Sequence, residues 1–275
     1  MTPLALIALA AYAASFVLYV WLLFAPRRFS ALAPVCLAAG IVLQFFVLME
    51  RARVAHAVPY HDLYGSLSLF GWLLGLTYLG LEEFHHHHRS VGAFVLPFVL
   101  ALFLAAQLPA AGAAAAAPAN LPPQVRGSAF ALHVTLSVLA YAAFALSFVL
   151  SALFLLQDRL LRARRLGPPF WRLPPLEILE RMSRNSVRVG LVAMAAGIVF
   201  GAVWVDRLTG HIWATDLKYL ITLAIFAVYA AYLLLSRTAA WRGARASVLC
   251  VVNFVLVILS FTVVNVYFSR EHRFF

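Results

Sequence analysis

The sequence predicts an all-α fold, a polytopic membrane bundle of about eight transmembrane helices. Of 275 residues, 64 % are hydrophobic and only 11 % are charged, whereas a soluble domain carries about 25 % charged residues. Irregular loops cannot cross lipid, so apolar runs of this length indicate helices. Charged or Pro/Gly-rich segments separate eight such runs, near 3–24, 30–49, 63–81, 91–108, 127–157, 186–206, 217–236 and 245–268.

The distribution of Lys and Arg predicts the orientation of the bundle. The 1–2, 3–4, 5–6 and 7–8 loops together carry 14 of the 21 basic residues, and the segments on the other side carry 7. The more basic side is expected to be cytoplasmic. Both termini are then on the outer side of a multi-pass protein, which we expect in a bacterial inner membrane with lipid as its surroundings.

Composition also argues against several other functions. The net charge of +11 fits basic cytoplasmic loops, and no Arg-rich run alternates with exposed aromatics, so we expect no nucleic-acid partner. Cys36 and Cys250 form no C-x-x-C pair, which argues against disulfide, thiol-redox and zinc chemistry. The predicted spans contain no internal carboxylate, since Glu50 and Asp216 fall at helix ends, and this argues against a transporter.

One ionisable side chain interrupts the longest apolar run, and it is His133. A histidine inside a membrane is costly unless it is bound, so it is a functional candidate. The predicted topology puts His133 near the outer face, together with His272 of the C-terminal tail. Two imidazoles there fit axial ligation of haem iron. A hydrogen-bonded structural histidine and a solvated tail would also account for the pair.

The outer segment from Trp204, at the end of the sixth run, to Asp216 also contains Trp213. These aromatics are either an interfacial belt or a flat platform against a planar ligand near His133. His56 lies in another outer loop, which is a polar loop or a weak metal site.

Two cytoplasmic segments complete the candidates. The run 85–88 is expected to be a solvated histidine loop. After Pro175, apolar residues at helical spacing predict a short surface helix. Glu177–Arg181 and Glu180–Arg184, each four residues apart, are expected to be stabilising pairs on it.

Three stretches carry a family resemblance: HVTLSVLAYAAFALSFVLSALFLLQDRLL, LPPLEILERM and GIVFGAVW. They resemble the cytochrome c assembly family, the CcsA/CcmC group of haem-handling membrane proteins, and fit its HemX/YpjD-like branch better than its haem exporters. The resemblance is clear from about residue 133 to the C-terminus and weaker over 56–97. It implies a single integral membrane domain over 1–275, with N-terminal helices in 1–108 and a family-like core in 127–275.

The resemblance also implies site residues and a cofactor. His133 and His272 match the two outer histidines that ligate haem iron, which here implies non-covalent haem b. The family loop W-G-x-x-W-x-W-D-P-K-E corresponds to 209–219, where Trp213, Asp216 and Lys218 are retained. Trp204 adds a further aromatic ring, and His56 lies near the position of a family histidine before the third helix.

The implied function is haem handling in cytochrome c biogenesis, with haem held at the outer face and a cytochrome c synthase subunit as a partner. No nucleophile–base pair is visible, so haem presentation is favoured over catalysis by the chain alone. The alternative is a HemX-like regulator or scaffold that has lost haem handling and binds a soluble cytoplasmic protein through its large loop, for example in haem biosynthesis. We expect His133 and His272 to converge at the outer face, with Trp213 beside them.

Overall fold

The computed structural model describes residues 1–24, 31–55, 58–60, 62–85, 88–108, 127–164, 167, 172–210 and 217–263. In these ranges the chain is helical and contains no strand. Short 3-10 turns lie at Arg89–Val91 and Ala239–Trp241. The α-helices are α1 Pro3–Trp21, α2 Leu32–Ala55, α3 Leu63–Phe84, α4 Gly92–Ala106, α5 Ser128–Arg162, α6 Leu176–Thr209, α7 Leu217–Leu235 and α8 Ala244–Val263.

The lengths of these helices suit a membrane. Six stretches are long and apolar enough to cross one: α1, α2, α3, the 3-10 turn together with α4 (Arg89–Ala106), α5 and α6. The apolar stretches Tyr219–Leu235 and Ala244–Leu259 are shorter. The prediction of an all-α, polytopic bundle of about eight helices is therefore confirmed. The predicted orientation of the termini stays a prediction.

The short surface helix predicted after Pro175 is not a separate element. It forms the first turns of α6, which continues for 34 residues without a break. Leu179 and Met182 are fully buried in this part of the helix, so it packs against the protein. The predicted Glu177–Arg181 and Glu180–Arg184 ion pairs are confirmed, each at 2.9 Å.

The chain forms two compact units. The first consists of Met1–Pro122 with Ala163–Pro175, and the second of Pro123–Arg162 with Leu176–Phe275. The first unit contains α1–α4 and the second contains α5–α8. That the whole chain is one integral domain stays a prediction.

In the first unit, side-chain hydrogen bonds hold the apolar helices together. The Tyr12 hydroxyl of α1 donates to Oε1 of Gln44 on α2 at 2.6 Å. The Gln44 amide in turn donates to the Ser68 carbonyl of α3 at 2.9 Å. Bonds of this kind between helices satisfy polar groups that have no water inside a bilayer.

A buried carboxylate lies at the end of α3, contrary to the expectation that the spans contain none. That helix continues to Phe84, so Glu82 is inside it and is fully buried. Its Oε2 accepts hydrogen bonds from Tyr19 at 2.7 Å and from Tyr78 at 2.6 Å. Arg89 Nε lies 3.5 Å from Oε1. The cluster ties α1 to α3 and to the turn before α4.

His85 is also buried, so the expectation that 85–88 is a solvated loop is wrong for this residue. Its Nδ1 lies 2.9 Å from the Leu81 carbonyl, one turn back, and donates to it. His86 and His87 lie outside the described residues.

In the second unit, α5 packs closely against α6 because Gly190 of α6 leaves room for the Phe144 ring of α5. A methyl group added at Gly190 would lie 2.5 Å from the Phe144 ring. Phe144 stacks in parallel on Tyr229 of α7, with ring centroids 3.8 Å apart. Small residues at such interfaces let helix backbones approach within a membrane.

A polar cluster lies beside this apolar core and joins three helices. The Ser147 hydroxyl lies 2.8 Å from Cys250 Sγ and 3.0 Å from Ser183 Oγ. Ser183 is also 2.9 Å from Ser151 Oγ. The cluster connects α5, α6 and α8, and Cys250 is a free thiol.

Candidate functional site

His133 lies in the second turn of α5, where its half-buried imidazole faces α6. Its Nδ1 is 2.7 Å from the main-chain carbonyl oxygen of Gly197, a distance typical of a short hydrogen bond. The same carbonyl also accepts the intrahelical bond from the amide four residues later, as the α-helical pattern requires. The contact therefore anchors one helix to the backbone of the next.

Gly201 makes room for this contact. A methyl group at that position would lie 2.6 Å from Nδ1 of His133 and 2.8 Å from its Cε1. Only a residue without a side chain lets the imidazole approach the α6 backbone so closely. A methyl group added at Gly197 would lie 3.0 Å from the hydroxyl oxygen of Ser137 on α5. The two glycines, one turn apart, form a recess for the imidazole.

Two aromatic rings lie next to this recess. The ring of Trp204 is nearly parallel to the His133 imidazole, with an interplanar angle of 14° and centroids 6.3 Å apart. Phe130, one turn before His133 on α5, has its ring centroid 5.1 Å from that of Trp204. The imidazole thus sits against an aromatic wall at the end of α6.

The Gly197 carbonyl determines which nitrogen of His133 carries the proton. A carbonyl oxygen can only accept, so Nδ1 donates in this bond. In a neutral imidazole Nε2 then keeps its lone pair, which is the arrangement required of a metal-ligating histidine. The donor set at this point fits a metal ion that accepts a neutral imidazole nitrogen, haem iron included.

The structure describes two of the six predicted site residues, His133 and Trp204, and brings them together. His272, Trp213, Asp216 and His56 lie outside the described residues. The expected convergence of His133 with His272, with Trp213 beside them, therefore stays a prediction.

Sequence reasoning missed the residues that shape the recess. Gly197 and Gly201 form a G-x-x-x-G spacing inside the stretch GIVFG, a pattern typical of close helix contacts in membranes. Phe130 precedes His133 by three residues, a spacing that places both on one helix face. These two spacings indicate a close helix contact and a shared helix face, but sequence alone does not show which helix the glycines face.

The outer loop that contains His56, weighed above as a polar loop or a weak metal site, ends at Asp62, whose carboxylate is already bonded within the chain. Asp62 caps α3, and its Oδ1 accepts from the amide of Gly65 at 2.8 Å. Its Oδ2 accepts from Arg51 at 2.6 Å. In the described part of the chain, no group of three or more His, Cys, Asp or Glu side chains is placed to hold a metal ion.

The fold and this recess define a multi-spanning membrane protein that positions an imidazole against a backbone carbonyl near one end of two helices. The model of the cytochrome C assembly protein family matches residues 60–272, which is most of the chain. The chain therefore belongs to the cytochrome c assembly family. Membership makes it a membrane protein of cytochrome c biogenesis and implies haem handling.

Individual relatives are similar over most of their length. Protein HemX of Brevibacillus brevis is 27 % identical over 231 residues, which is 82 % of this chain and 83 % of the relative. Cytochrome c biogenesis protein CcsA of Synechococcus sp. strain CC9902 is 28 % identical, with 87 % and 83 % covered. The CcsA protein of Parasynechococcus marenigrum is 29 % identical, with 86 % and 81 % covered.

Proposed function

We propose that this protein holds haem b at the outer membrane face for cytochrome c biogenesis, with His133 and His272 as the two iron ligands. The observation that carries the proposal is the 2.7 Å bond from His133 Nδ1 to Gly197, because it fixes the ring and leaves Nε2 as the coordinating nitrogen. The similarity to CcsA proteins, whose names assign them to cytochrome c biogenesis, supports the same role.

Each residue has a defined task in this proposal. His133 supplies a neutral imidazole nitrogen, and the recess at Gly201 holds that ring in place. Trp204 and Phe130 supply an apolar aromatic wall for a planar ligand. Trp213, Asp216 and His56 are proposed to complete the site from the outer loops. Haem, when bound, would supply an iron centre that can accept imidazole nitrogens.

The chain is proposed to present haem to a partner, such as a cytochrome c synthase subunit, and not to catalyse attachment by itself. The fixed imidazole of His133 and the ring of Trp204 beside it support a role in binding and orientation. We place the protein in the bacterial inner membrane.

The optical spectrum of the purified protein tests this function. Protein supplemented with haem should show the Soret band of a bis-histidine b-type site, and the His133→Ala/His272→Ala double variant should lose it. His85→Gln is the control, because His85 bonds a backbone carbonyl in the other unit. Persistent absence of the Soret band in supplemented wild-type protein, or its retention in the double variant, would contradict the proposal.

The second candidate function is regulation of a soluble cytoplasmic protein, as in a HemX-like scaffold. The similarity to Protein HemX and the retention of a single tryptophan, Trp213, in the family loop favour it. Its surface would be the basic cytoplasmic segment Arg159–Arg188, which runs from the last turn of α5 into α6. Neutralising Arg159, Arg162 and Arg164 should abolish co-purification of that partner, and unchanged recovery of the partner would remove the loop from the interaction.

A further inference from the structure

A cavity of about 330 Å³ lies where α6 begins, α7 ends and the turn before α8 crosses. This volume falls within the range of small-ligand sites, about 300–1,000 Å³. Its lining includes five arginines and no carboxylate. The arginines are Arg181, Arg184, Arg188, Arg237 and Arg242. The predicted topology places this cavity at the cytoplasmic face of the membrane.

The charges around the cavity do not balance. Arg181 and Arg184 are paired with Glu177 and Glu180 on the preceding turn of α6. The other three arginines make no ion pair with a carboxylate within the described ranges. Several positive charges that share a partly enclosed space repel one another, and an anion between them removes that repulsion.

Part of the lining is held in position by other contacts. Arg184 is half-buried, and its Nη1 donates to Glu180 at 2.9 Å and to the Ser236 carbonyl at 3.3 Å. Arg188 Nη1 donates to Asn185 Oδ1 at 2.8 Å. A guanidinium group offers several N–H donors in a plane, which matches the oxygen atoms of a phosphate group.

The surroundings favour a lipid as the source of that phosphate. Leu234 of α7 is 64 % exposed and Trp241 is 39 % exposed, and each is a chain neighbour of a residue in the lining. Apolar side chains of this kind suit the glycerol and acyl region of a bilayer, where tryptophan is enriched. Basic pockets between membrane helices on the cytoplasmic side bind anionic headgroups.

We propose that this arginine pocket is a binding site for the phosphate headgroup of an anionic membrane lipid. The guanidinium groups bind the phosphate oxygens, and Leu234 and Trp241 contact the apolar part of the lipid. This site is at the opposite end of α6 from His133, and the proposal does not depend on haem binding.

Native mass spectrometry of the full-length protein, with phosphatidylglycerol or phosphatidylcholine added in detergent, tests the site. We expect selective retention of phosphatidylglycerol. The Arg237→Gln/Arg242→Gln variant should bind it roughly tenfold more weakly, as expected for the loss of charge-assisted hydrogen bonds. Its unfolding midpoint in phosphatidylcholine should match that of the wild type, because both side chains are exposed.

The Arg159→Gln/Arg162→Gln variant is the matched control. It makes the same change in charge at the same end of the second unit, outside the cavity. Among the ion pairs of the described residues, it breaks the exposed Arg162–Asp158 pair alone. Its affinity for phosphatidylglycerol should stay within about twofold of the wild type.

Three results would overturn the proposal. One is equal retention of the two lipids by the wild-type protein, and another is equal weakening in the two double variants. The third is an increase in unfolding midpoint with inorganic phosphate as large as that with phosphatidylglycerol, which would identify a site for a soluble phosphate.

Discussion

At the scale of single residues, the position of His133 depends on a residue that has no side chain. Hydropathy was enough to single out His133, because an imidazole inside an apolar run is unusual. It was not enough to find Gly201, whose importance comes from a contact with a residue 68 positions earlier in the chain. The sequence alone therefore predicts the candidate site residue, His133, but not the glycine that leaves room for its ring.

Gly201→Ala should displace the imidazole from the Gly197 carbonyl, since the new methyl group would lie 2.6 Å from Nδ1. Overpacking of this kind costs about 1–3 kcal/mol, so we expect a lower unfolding midpoint. If His133 ligates haem, the titrated haem affinity should fall as well. Gly80→Ala is the control, because nothing lies within 4 Å of its added methyl group. A Gly201→Ala protein with unchanged stability and haem binding would show that the recess is not needed.

At the scale of helices, most elements follow from apolar run length, but their ends depend on packing. The sequence predicted α3 to end near residue 81, because two glutamates follow. The helix continues to Phe84, since Tyr19 and Tyr78 supply the hydrogen bonds that let Glu82 enter the interior. Likewise α6 begins at Leu176 because its first turns bury Leu179 and Met182. No local pattern shows these long-range partners.

Glu82→Gln should loosen the connection between α1, α3 and the turn at Arg89. The substitution removes the carboxylate from a buried ion pair, and breaking such a pair costs about 3 kcal/mol. We expect a clear fall in the unfolding midpoint of the purified protein. Glu83→Gln, on the adjacent exposed residue, should change stability by no more than about 0.5 kcal/mol. Equal effects of the two substitutions would mean that the buried cluster adds nothing to stability.

Gly190→Ala should separate α5 from α6, because its methyl group would lie 2.5 Å from the Phe144 ring. We expect a destabilisation of about 1–3 kcal/mol. Combining it with Phe144→Leu should cost less than the sum of the two single changes, since the smaller side chain leaves room for the methyl group. Thermal unfolding of the two single variants and the double variant measures this coupling. If the destabilisation of the double variant equals the sum of the two single effects, the Phe144 ring and the added methyl group do not clash.

At the scale of the whole molecule, the composition predicted the fold class correctly. Continuous apolar runs of about 20 residues cross a bilayer as helices, which satisfy their own backbone hydrogen bonds. The eight apolar runs correspond to α1–α8, although α5 extends five residues beyond its predicted end at 157 and α6 begins ten residues before its predicted start at 186. Orientation rests on the basic loops alone, most of all on the one between α5 and α6.

Reporter insertions should reveal that orientation. Alkaline phosphatase inserted after Gly210 should be active, because the 6–7 loop is predicted to be outside. The same enzyme inserted after Arg164 should be inactive, since the 5–6 loop is predicted to be cytoplasmic. A fluorescent protein that matures only in the cytoplasm should give the opposite pattern at the two positions. The reverse result at both sites would invert the bundle and place His133 at the inner face.

The burial of Cys250 has a kinetic consequence. Its thiol is fully enclosed beside Ser147, so an alkylating reagent reaches it only when the second unit opens. In a Cys36→Ala protein with fast closing, the alkylation rate is proportional to the open fraction. A ligand that binds only the closed unit slows that rate by a factor of one plus its concentration divided by its Kd. Haem binding at His133 should therefore protect Cys250 on α8, and modification rates with and without haem would measure its affinity even where no absorption change is resolved.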